Sequence, residues 1–173
     1  MVKLNAKQLR MSEPTEQELK KIKRRDIYIV CDNILDTYNI GSIFRLADAV
    51  SAKCVYLCGD CETPPNIKIH RAAVGTDKWV PWQYAPTAVE AISKMKGQNP
   101  NIKVVAIEQS KKSVDFRKIS FQEPIGFVIG YETFGVSEET LKACDEVVEI
   151  PMYGINISLN VMVSLAMVLG RII

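Results

Sequence analysis

Short, largely apolar runs recur along the chain and are separated by polar segments. Five such runs are residues 27–31, 54–58, 103–107, 125–129 and 146–150. Continuous apolar runs of this length are typical of strands buried on both faces of a parallel sheet. The stretches 39–50 and 87–96 instead space their apolar residues with the period of a helix. This alternation predicts an α/β fold, a parallel sheet flanked by helices.

The remaining segments carry weaker signals. Residues 16–25 after Pro14-Thr15 and residues 137–143 after a polar loop are predicted as short helices. Residues 67–75 fit no single pattern. Residues 79–84 are extended in character, and Pro81 would confine such a strand to a sheet edge.

The C-terminal quarter combines a strand, a loop and an apolar stretch. Pro151 stops the run 146–150, and Gly154 and Asn156 suit a turn. Ser158 stands where a helix N-cap is expected. A helix from Ser158 to Ile173 would be apolar nearly all round, so we expect it to be buried on several sides. Its length of 16 residues is short for a membrane span.

Three predicted strands end in loops rich in polar residues and glycine, at residues 108–110, 130–135 and 151–157. Ligands of open parallel sheets bind outside the carboxyl ends of the strands. The loops therefore predict one small-molecule site. Neither a GxGxxG fingerprint nor a phosphate-binding P-loop motif occurs, so the pattern does not favour a nucleotide site of either kind.

The chain's size and cysteine content narrow the class of protein. Its 173 residues fit one domain, and no apolar leader follows Met1, which predicts a cytoplasmic protein without membrane attachment. The odd count of five cysteines favours reduced thiols. Cys54, Cys58 and Cys61 with His70 leave a zinc-binding module as an alternative. Because residues 54–58 are predicted as a strand, no metal is expected. His70 is the only histidine and is interpreted as structural.

The formal net charge of +2 is unevenly distributed. Residues 1–25 hold eight Lys and Arg against three Glu, a charge of +5, which leaves −3 for the rest. We therefore divide the chain into a basic N-terminal extension, residues 1–25, and a single domain, residues 26–173. A basic segment suits contacts with phosphates, although a solvated helix face would look the same.

Three segments resemble, in order and spacing, the signature of the SpoU/TrmH family of RNA ribose 2′-O-methyltransferases, within the SPOUT superfamily. They are residues 39–49 (NIGSIFRLADA), 129–135 (IGYETFG), and 150–152 (IPM) with 158–161 (SLNV). Residues 70–75 are similar to a segment found between the first two. The resemblance covers residues 27–173, and the three motifs together are strongly specific.

The resemblance implies a SPOUT-like fold with a C-terminal trefoil knot, S-adenosyl-L-methionine as cofactor, and a homodimer whose active site lies near the subunit interface. An apolar C-terminal helix in so small a chain agrees with a homodimer. The cofactor-binding residues expected on this basis are Glu108, Gly130, Glu132, Gly135, Ile150, Met152, Ser158 and Leu159. The catalytic residues expected are Arg45, Asn39, Ser158 and Asn160.

Three of these residues have two alternative roles each. Arg45 matches the family's catalytic arginine, which is either a general base assisted by substrate phosphate or a phosphate clamp that stabilises the developing alkoxide. Asn39 either caps its helix or orients Arg45 or the ribose. Glu132 is either an anchor for the cofactor or a cap of the helix that begins at Ser137.

The function expected is methyl transfer to a ribose 2′-hydroxyl of structured RNA, with tRNA ahead of rRNA. The alternative from another class is a knotted RNA-binding protein without catalysis. The presence of Arg45, Asn39, Ser158 and Asn160 favours the enzyme.

Overall fold

A computed structural model of the chain describes residues 3–5, 8–9 and 13–172. Lys7 and Arg10 of the predicted basic extension, and Ile173, lie outside the described residues. The described strands are β1 (Arg25–Asp32), β2 (Ala52–Cys58), β3 (Trp82–Ala85), β4 (Lys103–Ile107), β5 (Val114–Asp115), β6 (Ile125–Gly130) and β7 (Glu146–Glu149).

These strands form one parallel sheet in the order β3-β2-β1-β6-β4-β7-β5, which confirms the predicted parallel architecture. The central strands are buried along most of their length, as their continuous apolar runs require. β3 follows Pro81 and lies at the edge of the sheet, as predicted for this segment.

The described α-helices are α1 (Glu16–Leu19), α2 (Thr37–Ala49), α3 (Ile67–Ala73), α4 (Ala88–Gln98), α5 (Glu138–Ala143) and α6 (Val161–Leu169). Most of them are preceded by an N-cap residue whose side chain accepts a hydrogen bond from the first turn, such as Thr15, Asp36 and Asn66. Short 3-10 turns at Thr76–Lys78 and Phe116–Lys118 follow α3 and β5.

Two helix predictions were wrong in length, and one helix was missed. α1 covers only Glu16–Leu19 of the expected 16–25 because none of its residues is buried, so no packing extends it. α4 continues through Gly97 to Gln98, past the end at residue 96 of the predicted stretch. The unassigned stretch 67–75 forms α3, which buries only Ile69 and Ala73.

The helices cover both faces of the sheet. One core contains side chains of α2, α3 and α6, and the other contains those of α4 with α5 packed against it. α2 and α3 approach closely at Gly41, where a Cβ atom would lie 2.5 Å from Cβ of Ala72 and 2.6 Å from the carbonyl oxygen of Ile69. This contact fixes the position of α2 and therefore of Arg45.

The C-terminal helix differs from its prediction in two respects. It begins at Val161 and not at Ser158, because Asn160 provides the N-cap. It is also buried on one side only: Leu165 is fully buried, whereas Val163 and Met167 are exposed in the single chain. Within the described part of the chain, no helix has the length and apolarity needed to cross a membrane.

Candidate active site at the carboxyl ends of the strands

A cavity of about 590 Å³ lies at the carboxyl ends of β4, β6 and β7. The three loops predicted to form one site meet here. The cavity is lined by every residue expected to bind the cofactor, namely Glu108, Gly130, Glu132, Gly135, Ile150, Met152, Ser158 and Leu159. Asn160 lines it as well, whereas Arg45 and Asn39 do not.

The loop after β6 folds back tightly on itself. Tyr131 and Gly135 exchange backbone hydrogen bonds of 3.1 and 2.8 Å. A Cβ atom at Gly130 would lie 2.2 Å from the backbone nitrogen of Val136, and Gly135 has a φ of +71°. Both positions therefore require glycine, and the loop that they shape lines the cavity.

Glu108 joins the end of β4 to this loop. Its carboxylate accepts hydrogen bonds from the backbone N–H of Val136 at 2.8 Å and of Gln109 at 2.7 Å. One carboxylate oxygen also occupies the space that a Cβ of Gly135 would enter. Glu108 thus shapes the cavity wall through backbone groups.

Glu132 connects the cavity to the start of α2. Its carboxylate accepts hydrogen bonds from the backbone N–H of Leu35 at 3.3 Å and of Asp36 at 3.2 Å. The alternative that Glu132 caps the helix beginning after Ser137 was wrong. Asp32, and not Glu132, accepts hydrogen bonds from the backbone N–H and the hydroxyl of Ser137. The carboxylate of Glu132 is therefore committed to the entrance of α2.

Two asparagines extend this network. The Asn39 side-chain nitrogen donates to Glu132 at 2.9 Å, and the Asn160 side-chain nitrogen donates to the Asn39 oxygen at 3.0 Å. Asn39 does not cap α2, since Asp36 accepts the hydrogen bond from Tyr38 N–H. Three predicted site residues thus form a continuous chain that ties α2, the β6 loop and α6 together.

The loop of residues 151–160 forms the outer wall of the cavity, and two contacts that the sequence pattern did not indicate secure it. Gln109 donates a side-chain hydrogen bond to the carbonyl of Ile157. Arg117 donates to the hydroxyl of Tyr153 at 2.9 Å. Hydrogen bonds from Arg117 lower the pKa of Asp115 to about 2. The Asp115 carboxylate therefore stays charged and holds Arg117 in place.

The side chains of Ser158 and Arg45 have no hydrogen-bond partner in the described part of the chain. The Ser158 side chain lines the cavity and makes no hydrogen bond within the described residues. Arg45 is exposed on α2 and likewise has no hydrogen bond or ion pair in the described part of the chain. The structure therefore places these two expected catalytic side chains free for a ligand, but does not bring Arg45 into the cavity.

The cysteines form no metal centre. Within the described ranges, no group of three or more His, Cys, Asp or Glu side chains could hold a metal ion. Burial raises the pKa of the Cys61 thiol to about 11, and Cys61 hydrogen-bonds the backbone of Ile34 and Cys31. His70 is paired with Asp77 instead of a thiol.

Comparison with known proteins places these features in one family. The model of the SpoU rRNA Methylase family matches residues 26–170. A tRNA (guanosine(18)-2′-O)-methyltransferase of Aquifex aeolicus is 32% identical over 88% of this chain and 71% of its own length. The 23S rRNA (guanosine-2′-O-)-methyltransferase RlmB of Neisseria meningitidis is 28% identical over 90% of this chain and 61% of its own.

A solved structure agrees with the fold. The SpoU methyltransferase AviRb from Streptomyces viridochromogenes, in complex with the cofactor AdoMet, superposes with a TM-score of 0.76 at 27% identity. The superposition covers 91% of this chain and 64% of AviRb. The family predicted from the three motifs is thereby confirmed, and the chain belongs to the SpoU rRNA Methylase family.

Proposed function

We propose that the chain transfers the methyl group of S-adenosyl-L-methionine to a ribose 2′-hydroxyl of structured RNA, with tRNA as the main substrate class and rRNA as the alternative. The observation that carries this proposal is the cavity itself, which gathers the residues of the second and third motifs and bonds them, through Asn160 and Asn39, to the helix of the first. The related tRNA and rRNA enzymes support both substrate classes.

The cavity is large enough for the cofactor. Its volume lies within the ~300–1,000 Å³ that small-molecule sites occupy. Gly130 and Gly135 let the loop pack tightly at the cavity wall, where a side chain would collide with the backbone of Val136 or with the Glu108 carboxylate. Glu108, Ile150, Met152 and Leu159 would hold the adenosine and methionine parts together with these glycines. When bound, S-adenosyl-L-methionine supplies an electrophilic methyl group.

The polar side chains would act on the RNA. We assign Ser158 and Asn160 to the ribose, because both line the cavity and Ser158 has a free hydroxyl within the described residues. Arg45 would bind the neighbouring phosphate and stabilise the developing alkoxide.

The position of Arg45 supports a homodimer. Arg45 lies outside the cavity of its own chain, and apolar side chains are exposed nearby at Leu35 and Tyr38 and along α6 at Val163 and Met167. A second copy would cover this surface and place Arg45 near a subunit interface. The trefoil knot, the cytoplasmic location and the division at residues 25 and 26 stay predictions.

The proposal is tested by methyl transfer from labelled S-adenosyl-L-methionine to bulk tRNA and bulk rRNA in parallel. Wild type should label one RNA class as 2′-O-methylnucleotide. Arg45→Ala should lower the rate at least ~100-fold while cofactor affinity is retained. Lys142→Ala, which removes the same charge from α5 on the other face of the sheet, should leave the rate unchanged.

Each failure has a distinct meaning. Cofactor binding without transfer to either RNA would reject the tRNA and rRNA substrates together. Absence of cofactor binding would overturn the methyltransferase proposal and favour an RNA-binding protein without catalysis.

A further inference from the structure

The peptide bond between Ile157 and Ser158 is held by side chains at both of its polar groups. Its carbonyl oxygen, on Ile157, accepts a hydrogen bond from the side-chain nitrogen of Gln109. Its N–H, on Ser158, donates to the side-chain oxygen of Asn156 at 3.1 Å. All four residues line the cavity, yet Gln109 and Asn156 belong to none of the three motifs. Two amide side chains thus set the orientation of this one peptide.

Packing does little to hold the loop around this peptide. Every residue from 153 to 160 is exposed, and Ile157 itself is 75% exposed. The apolar side chains of Tyr153 and Ile155 face solvent as well. A segment that buries so little surface opens easily unless hydrogen bonds fix it. Hydrogen bonds to the backbone therefore determine where Ser158 lies.

Gln109 joins this loop to the rigid wall of the cavity. It follows Glu108 at the end of β4, and its backbone N–H donates to the Glu108 carboxylate at 2.7 Å. The same carboxylate accepts a hydrogen bond from the N–H of Val136 at 2.8 Å. The backbone of Gln109 is thus tied to the end of a buried strand, while its side chain bonds to a loop 48 residues further along the chain.

Ser158 lies between two such anchors. On its N-terminal side is the peptide held by Gln109 and Asn156. On its C-terminal side, the side chain of Asn160 donates to Asn39 at 3.0 Å. The Ser158 hydroxyl makes no hydrogen bond within the described residues, so its direction depends on the backbone that carries it.

We propose that Gln109 and Asn156 are positioning residues for methyl transfer: they fix the peptide before Ser158 and thereby direct its hydroxyl to the ribose. The inference rests on the proposed function, in which Ser158 binds the ribose. Misplacement of a reacting group by ~1 Å can reduce a rate ~100-fold, so a side chain that does not touch the substrate can control the rate. The two positions have opposite requirements, because residue 109 must donate a hydrogen bond and residue 156 must accept one.

Two substitutions that add the same charge to the cavity wall test these requirements. Gln109→Glu replaces the donor by an acceptor and cannot bond to the Ile157 carbonyl, whereas Asn156→Asp keeps an acceptor for the Ser158 N–H. With labelled S-adenosyl-L-methionine and the RNA class that wild type labels, Gln109→Glu and Asn156→Ala should each lower the rate at least ~10-fold. Asn156→Asp should retain most of the activity that Asn156→Ala loses.

A double substitution tests whether Gln109 acts through Ser158. In a Ser158→Ala background, Gln109→Glu should cause no further loss, because the hydroxyl that Gln109 positions is already absent. Losses that multiply would instead place Gln109 in direct contact with the cofactor or the RNA and overturn the positioning role. Equal losses in Gln109→Glu and Asn156→Asp would assign the effect to the added charge, and full activity of Gln109→Glu would also overturn the proposal.

Amide hydrogen exchange tests the geometry without RNA. Relative to its rate in the unfolded chain, the Ser158 N–H should exchange at least ~3-fold faster in Asn156→Ala than in wild type or Asn156→Asp. Equal exchange in the three proteins would show that Asn156 does not hold this peptide. Melting temperatures should match wild type, because the loop is exposed. If wild type methylates no RNA, the proposed function fails, while the exchange rates still decide whether the peptide is fixed.

Discussion

Asn160 serves two structural purposes with one side chain. Its oxygen accepts hydrogen bonds from Met162 and Val163 N–H at the start of α6, and its nitrogen donates to Asn39. Ser158, two residues earlier, caps nothing. The two residues were both expected to be catalytic, yet only one of them supports the fold.

Substitution by alanine should therefore separate stability from activity. Asn160→Ala should lower the free energy of unfolding by about 1–3 kcal/mol, because it removes an N-cap and a partly buried hydrogen bond. Ser158→Ala should change it by less than about 0.5 kcal/mol. Both should reduce methyl transfer. Urea unfolding and labelled-methyl transfer measure the two effects, and equal destabilisation by both variants would contradict the assignment of the cap.

The choice between Ser158 and Asn160 as the N-cap of α6 cannot be predicted from residue type. Ser158 and Asn160 are equally good N-caps by residue type, and the bond to Asn39, 121 residues away, selects Asn160. The expected cap at Asn39 failed for the same reason, because Glu132 and Asn160 occupy its side chain. The motifs include Asn39, Glu132 and Asn160, which the structure joins, and also Arg45, which lies outside the cavity; the hydrogen-bond partners depend on tertiary contacts.

At the scale of elements, the packing of α2 on α3 offers a direct test. Gly41→Ala would push a methyl group against Ala72 and against backbone atoms of Ile69 and Ala73, which cannot rotate away. Although alanine favours a helix, we expect a net loss of about 1–3 kcal/mol in the free energy of unfolding.

Gly97→Ala is the matched control in α4. Nothing lies within 4 Å of a Cβ atom at that position, so the better helix former should stabilise the protein by about 0.5–1 kcal/mol. Opposite signs in thermal or urea unfolding are the expected outcome. Stabilisation by both substitutions would show that α2 and α3 do not meet at Gly41.

The elements themselves were predictable to different degrees. The five strands predicted from apolar runs were found to within two residues at either end, as β4 (Lys103–Ile107) and β6 (Ile125–Gly130) show, because a strand buried on both faces must be apolar throughout. The edge strand β3 begins at Trp82, three residues after the start of the extended stretch 79–84. α3 was missed because a seven-residue helix that buries two side chains has too little periodicity to recognise. The two-residue strand β5 gives no pattern at all.

At the scale of the molecule, the thiols link folding to pH. Burial raises the pKa of Cys54 to about 12, of Cys61 to about 11 and of Cys144 to about 12, and raises those of Cys31 and Cys58 well above the ordinary range. Thiols of the unfolded chain ionise near pH ~8.5. Above that pH the unfolded state therefore loses protons that the folded state keeps, and stability falls.

We expect the free energy of unfolding in urea, with a reducing agent present, to decline as the pH rises from about 8.5 toward 11. The contribution of the thiols to the free energy of unfolding is complete below their pKa in the unfolded chain. It is lost as the pH rises toward their pKa values in the folded protein. Cys54→Ser and Cys144→Ser should each make the decline less steep. A curve that is flat or rises over this interval would contradict the burial of the thiols.

Exposed apolar residues on α6 predict that the chain assembles with a second copy. Val163 and Met167 form an exposed apolar strip one turn apart on α6, and Tyr38 is exposed on α2, which is bonded to α6 through Asn39 and Asn160. An apolar stretch predicted to be buried on several sides is thus half covered in a single chain. Arg45 lies outside the cavity on the adjacent helix. We therefore expect one second copy both to cover this surface and to complete the site.

Light scattering after size-exclusion chromatography should accordingly give wild type twice the 19.4 kDa mass of one chain. Met167→Glu should shift the mass to 19.4 kDa and reduce methyl transfer, because a carboxylate would be buried without a partner. Ile67→Glu is the control: this side chain is more exposed than Met167, 67% against 42%, but lies on α3. A wild-type monomer with full methyl transfer would exclude the dimer, and dissociation by Ile67→Glu would place the interface on α3 instead.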